Sequence, residues 1–346
     1  MLRRRTFIKI SVAGALSGPT PSGVSNALAR DNPIRRRGDG VVWKTIVPPL
    51  PGTPSLDGHT DTVPDVVGRL GAPIDLAIFT EGNHFPVLLG EIVPQYRNWA
   101  KGRGLAAGNI VVVTLPQPMI VGMLLGGGIS LGNLTLEVSR ASGFYPDIVM
   151  GGIAPLGQLR KASIVEAEAR VFARNRGLSL LVAAGNPLAA QRLEDLVRPG
   201  IRVVTASASE PGARRQYISA LDALIGEEAA RSVLAREVVT FPGRLGIQHR
   251  DVLQAIASRC ADVGIIFHHL ARYFAAAYPQ WCTMVSVPGA DKFSSTIAMV
   301  SAREPLRAQA AMAFSEFFLV VAREVYPRYG FAMISEAEFG APVKLD

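Results

Sequence analysis

The sequence predicts an α/β protein of two domains, with helices covering largely parallel sheets. Short runs of β-branched and aliphatic residues alternate along the chain with stretches of helical periodicity. A length of 346 residues allows two domains with a core each, and 49% hydrophobic with 18% charged residues describes a globular chain. Polar loops rich in small residues follow several of the strand-like runs, where ligands of open α/β sheets collect.

The first 29 residues read as an export signal. Arg4-Arg5-Thr6-Phe7-Ile8-Lys9 matches the twin-arginine (Tat) consensus, a weakly apolar stretch follows at 10–18, and Ala27-Leu28-Ala29 offers a small-residue cleavage site. No cysteine follows to carry a lipid anchor, so the expected product is a soluble periplasmic protein handled by the Tat machinery. Removing Arg3, Arg4, Arg5 and Lys9 lowers the formal net charge from +8 to +4. The remaining basic residues are scattered without aromatic interleaving, which argues against nucleic acid and suits collection of anions. Cys260 and Cys282 each precede a strand-like run, leaving a disulfide and two buried thiols both open.

Residues 30–72 are rich in Pro, Gly, Asp and Arg and read as an extended arm. Within it, Gly58-His59-Thr60-Asp61-Thr62-Val63-Pro64 resembles the metal-binding stretch of the zinc aminoacylase/carboxypeptidase family. The residues before it, PGTPSLD, cannot form the buried strand that family places there, and Glu227-Glu228 lack their companion motifs. A zinc hydrolase therefore stands as the lesser alternative.

The globular part begins near residue 73. A buried strand at 74–79 runs into the polar loop Thr80-Glu81-Gly82-Asn83-His84, and a helix follows over 85–103 with Leu88, Ile92, Tyr96 and Trp99 on one face. A strand at 109–115 leads to an apolar helix or hairpin over 119–132, interrupted by Gly126-Gly127-Gly128. Tyr145-Pro146-Asp147-Ile148-Val149-Met150-Gly151-Gly152 is a strand whose glycines admit close backbone approach. After a strand at 178–183, Asn186-Pro187 breaks the chain, a short amphipathic helix carries Leu188, Leu193 and Leu196, and Pro199-Gly200 precedes a strand at 201–204. Helices at 214–224, 227–235 and 250–260, and strands at 237–240, 261–267, 284–287 and 295–300, continue the alternation. A helix over 305–326 closes it, with Phe314, Phe317 and Val321 on one face.

Several of these segments together resemble the type II periplasmic solute-binding proteins of ABC importers, particularly the molybdate/tungstate-binding branch. The resemblance spans about 73–335 and is carried by Pro146-Asp147-Ile148-Val149, by Asn186-Pro187-Leu188 with Leu193-Glu194-Asp195-Leu196 and Pro199-Gly200-Ile201-Arg202-Val203, by Ala261-Asp262-Val263-Gly264-Ile265-Ile266-Phe267, and by Tyr329-Gly330-Phe331. It implies a two-lobed fold, lobe one from 73–155 plus 285–346 and lobe two from 156–284. It also implies a non-catalytic monomer without cofactor or metal, capturing a small oxyanion and passing it to an importer permease. The sequence departs from the family where a serine is usual, at Gly151-Gly152, and where a tyrosine is usual, at Phe267.

Four strand ends then form the expected ligand site: Thr80, Glu81, Gly82 and Asn83; Gly151 and Gly152; Ser207, Ser209, Gly212, Ala213 and Arg214; and Phe267 with His268. Thr80, Ser207 and Ser209 bring hydroxyl donors, and the glycines bring backbone N–H groups. Glu81 sits awkwardly beside an anion, since a like charge at ~4 Å costs about 4 kcal/mol at an effective dielectric of 20. Arg214 or Arg215, in the first turn of a helix, makes a small organic carboxylate the alternative ligand.

Overall fold

The computed structural model describes residues 66–70, 72–131, 134–207, 210–240 and 246–346, with two short strand pairs, Ile34–Arg35 with Val42–Trp43 and Ser55–Leu56 with His59–Thr60. The export signal, most of the arm and Ser209 lie outside the described residues.

Two sheets organise the globular part. The larger contains β1 (Val66–Val67), β2 (Leu76–Glu81), β3 (Ile110–Leu115), β6 (Ile148–Gly152), β7 (Glu168–Arg174), β12 (Thr296–Ser301) and β13 (Pro342–Lys344), with a separate hairpin of β4 (Gly128–Leu131) and β5 (Leu134–Glu137). Its strand order is β13-β7-β12-β6-β2-β3-β1. The smaller is ordered β9-β10-β8-β11, from β8 (Leu178–Ala183), β9 (Val203–Thr205), β10 (Val263–Phe267) and β11 (Cys282–Ser286). The helices are α1 (85–101, with a π-helical stretch at Leu88–Ile92), α2 (Gln117–Gly126), α3 (Ile153–Lys161), α4 (Pro211–Ile225), α5 (Glu227–Leu234), α6 (His249–Ala257), α7 (His268–Ala277) and α8 (Ala308–Arg328).

The α/β expectation holds, but the sheets are mixed rather than mostly parallel. Only β6-β2, β2-β3 and β9-β10 pair in parallel; the other neighbours run antiparallel. The reason is the route of the chain. It leaves the larger sheet at Arg174, builds the smaller one, and returns at Thr296 opposite Arg174 and close to Gly152, so β12 must run against both β6 and β7. Strand β7, expected inside the 156–284 segment of lobe two, thus pairs within the larger sheet. The two crossings are tied to each other: Asn175 N–H donates to Ser295 O at 3.0 Å, Ser295 N–H donates to Asn175 Oδ1 at 3.0 Å, and the Asn175 amide reaches Ser295 Oγ at 2.5 Å.

Strand β2 shows how the sequence builds this core. Leu76 and Ile78 face the helices α1 and α8, while Ala77 and Phe79 face the opposite layer with Val111, Val113 and Leu156. Both faces are covered, so the strand reads as an uninterrupted apolar run. Asp147, fully buried at the start of β6, accepts from Ala77 N–H at 2.8 Å and from Arg307 N–H and Nη1 at 3.0 and 3.1 Å, fastening the entry to α8.

Elsewhere the local expectations need correction. The segment 237–240 makes only a bridge from Glu237 to Val203, not a strand. The helix expected around Leu188–Leu196 is confined to a 3-10 turn at Leu193–Val197, because Asn186 and Ala189 both adopt φ of +48°. Cys260 and Cys282 are free thiols, and burial pushes the Cys282 thiol up to about 12.

Candidate functional site

The carboxyl ends of β2 and β3 face the loops of the smaller-sheet lobe. After β2 the chain tightens into a 3-10 turn at Gly82–His84, and after β3 Pro116 opens α2. From the other side come Glu210, just before α4, and Gln248, His249 and Arg250 at the start of α6. Gly82, Asn83, Pro116, Glu210, Gln248, His249 and Arg250 together line a cavity of about 10 Å³, room for one water-sized group. Contacts across the gap close it: Arg250 Nη2 donates to Thr114 O at 2.6 Å, and the Gln248 amide lies 3.7 Å from Met119 Sδ. A methyl group on Gly82 would stand 3.3 Å from both Arg250 Nη2 and Thr114 O, so the turn after β2 is pressed against the arginine.

Each side of the cavity carries a Glu–His–Tyr series. Glu81 Oε1 lies 2.9 Å from His84 Nε2, and His84 Nδ1 lies 3.2 Å from Tyr326 Oη. Glu210 Oε2 lies 2.6 Å from His249 Nδ1, Glu210 Oε1 accepts His249 N–H at 3.0 Å, and His249 Nε2 lies 2.7 Å from Tyr217 Oη. Burial acts to raise the Glu210 pKa, but the charge and hydrogen bonds of His249, helped by Arg250, outweigh it and hold the carboxyl below its ordinary value. Burial, and behind it the nearby carboxylates, push both tyrosine hydroxyls well above 10. Aromatic rings connect the two series. Phe267 stacks on His249 at 4.8 Å and on His269 at 5.5 Å, and His269 stacks on Phe331, which meets His84 edge-on at 5.5 Å. No grouping of three or more His, Cys, Asp or Glu suited to a metal ion exists among the described residues.

A family model for bacterial extracellular solute-binding proteins matches residues 91–332. This chain belongs to that family. As a solute-binding protein it is a transport component of the ABC-importer type and not an enzyme. The fold agrees with solved structures at low identity: the sulfate-binding protein SubI of Mycobacterium tuberculosis H37Rv (19% identity, 76% of this chain and 88% of that one, TM-score 0.54), L-phospholactate-bound PEB3 (16%, 74% and 99%, 0.53), and the periplasmic molybdate-binding protein of Azotobacter vinelandii (15%, 75% and 100%, 0.50). A comparison with curated proteins finds no match.

The binding-protein fold gathers some of the residues anticipated from sequence and scatters others. Gly82 and Asn83 line the cavity. Thr80 is fully buried one turn beneath, its hydroxyl directed at Glu81 O, and Glu81 faces His84. Gly152 is engaged from within, its N–H donating to Gln117 Oε1 at 3.0 Å, and Gly151 lies under the same amide. Ser207 donates its N–H to Ile247 O at 2.8 Å, beside the cavity loop. Gly212 is exposed, Ala213 is half-buried, and Arg214 grips Glu237 through two 2.7 Å hydrogen bonds. Phe267 packs behind His249, and His268 hydrogen-bonds Ser179 at 2.9 Å. Gln248, His249 and Arg250 escaped the sequence reading, and Glu210 lies inside the anticipated loop at 207–213 without having been singled out. Their one local signal was a polar cluster, Gln248-His249-Arg250, opening an amphipathic helix.

Proposed function

We propose that this solute-binding protein captures a small oxyanion between its lobes, which part beyond the water-sized cavity to admit it, in the periplasm, and delivers it to an ABC importer permease. The observation that carries the reading is the charge arrangement around the cavity. Glu81 and Glu210 each have an imidazole within 2.9 Å, so neither acid confronts an occupant alone, while Arg250 brings a fixed positive charge to the wall. Asn83, 8% exposed, and Gln248 add side-chain amides to the lining. Sulfate- and molybdate-binding proteins of the same fold give the class a precedent. The lobes in this reading divide at 175–177 and 287–295, and Arg4-Arg5 direct export through the Tat route.

The test is calorimetry and thermal shift with sulfate, molybdate, tungstate, phosphate and small carboxylates. An oxyanion at a hundredfold excess over its dissociation constant should add about 2.7 kcal/mol of stability. Arg250→Ala should weaken that binding at least tenfold. Stabilisation by carboxylates alone, or by no anion, would reject the oxyanion assignment. Retention of precursor in the cytoplasm when Arg4 and Arg5 are both replaced by Lys tests the route.

A further inference from the structure

We propose that Gln117 limits this site to a ligand with a single anionic group, excluding anions with two charged ends; the proposal rests on the oxyanion reading above. Gln117 is the first residue of α2, directly after the cavity residue Pro116. In the sheet, β2 lies between β3 and β6. The Gln117 side chain starts beyond the end of β3 and ends on Gly152 at the end of β6, so it spans the carboxyl end of β2. There its Oε1 accepts Gly152 N–H at 3.0 Å, and its Nε2 donates to Gly152 O at 3.3 Å. The fit is close enough that a methyl group on Gly151 would fall 2.0 Å from Gln117 Nε2. A side chain at 151 would displace the amide from Gly152.

The consequence for recognition lies in which donors are taken. Gly152 is the N-cap of the nine-residue helix α3, and its N–H is a natural partner for an anionic oxygen. A neutral amide already holds it. The cavity's own lining includes the polar cluster Asn83, Gln248 and Arg250, the arginine also holding Thr114 O, and neither Gln117 nor Gly152 belongs to that lining. A tetrahedral oxyanion needs only this cluster. A phosphorylated carboxylic acid carries a second charged end several ångströms away, and that end meets the Gln117 amide and a backbone donor already spent.

The experiment compares Gln117→Ala and Gln117→Glu with the wild-type protein by calorimetry, using sulfate and molybdate as single-ended probes and 2-phosphoglycolate as the double-ended one. The wild type should bind the better single oxyanion at least tenfold more tightly than 2-phosphoglycolate. Gln117→Ala should gain at least tenfold for 2-phosphoglycolate while its oxyanion affinity changes less than threefold. Gln117→Glu keeps an acceptor for Gly152 N–H but adds a negative charge, so it should exclude the longer anion and also weaken sulfate and molybdate; a gain for 2-phosphoglycolate in this variant would overturn the proposal. An unchanged preference in Gln117→Ala with oxyanion binding intact would overturn the role of Gln117 alone. Absence of anion binding in the wild type would overturn the underlying reading and this proposal with it.

Discussion

His269 lies flat against Phe331, with ring centroids 4.0 Å apart and 21° between the planes, and neither of its buried ring nitrogens has a hydrogen-bond partner among the described residues. The imidazole belongs to α7 of the smaller-sheet lobe, while Phe331 follows α8 and packs on Phe172 through Tyr326. An aromatic stack across the junction is thus made with a group whose polar atoms are left dry, at a cost of about 1–3 kcal/mol.

This stack sets a pH dependence. Burial, reinforced by the neighbouring His84, His268 and His249, holds His269 well below 6.5, and burial with Arg176 and Arg272 brings His268 to about 4. The unfolded chain protonates both near 6.5 while the native state does not, so stability should be full above that pH and decline below it. Each proton contributes up to about 1.4 kcal/mol per pH unit while only the unfolded state binds it. His269→Phe keeps the stack and removes one proton from the linkage. Urea unfolding at pH 7.5 and 5.0 should show the variant more stable at both, with the larger gain at 5.0. Equal acid sensitivity of variant and wild type would reject this account.

Arg214 has a structural role separate from binding. Its two hydrogen bonds satisfy Glu237, whose side chain is only 3% exposed, and Arg214→Ala strands that carboxylate. A loss of about 3 kcal/mol is expected, partly recovered by adding Glu237→Gln. Oxyanion affinity should stay within threefold of wild type by calorimetry.

Asp147 is expected to be costlier still. Its carboxylate serves Ala77 N–H, Arg307 N–H and the Arg307 guanidinium from a fully buried position. Asp147→Ala should destabilise by about 3–5 kcal/mol in urea unfolding, because a half-buried arginine then loses its counterion.

Gly177 occupies the first crossing at φ +65°, and a methyl group there would stand 1.8 Å from Ala290 O. Gly177→Ala forces the two crossings apart and should cost on the order of 3 kcal/mol. Its companion test is Gly212→Ala, at an exposed position with none of the described residues within 4 Å of the added methyl group, which should change the thermal midpoint little.

Sequence reading succeeded where burial acts on both faces of an element. Ile110–Leu115 is buried throughout, and its composition leaves no doubt about a strand. Glu168–Arg174 was missed because charged residues stand beside small alanines: Ala169 and Ala173 are buried, while Glu168 and Arg170 are exposed. The alternation also breaks where Phe172 and Ala173 are both buried at a shift in register, which weakens the period-two signal. The site was only half legible for a related reason. Gly82 and Asn83 follow a recognisable strand, whereas Glu210 and His249, 39 positions apart, meet only through the fold. Nothing local in either segment announces the pair.

The two crossings also fix an order of assembly. Strands β8 to β11 are contiguous along 178–286, so during synthesis the smaller sheet is complete before β12, a central strand of the larger one, has been made. Strands β6 and β7 must wait for a partner that arrives more than a hundred residues later, with their edges open until then. Long-range pairing of this kind is slow and exposes strand edges to other chains. Chaperone demand and aggregation during expression should therefore trace to 148–174, and not to the lobe that contributes Arg250.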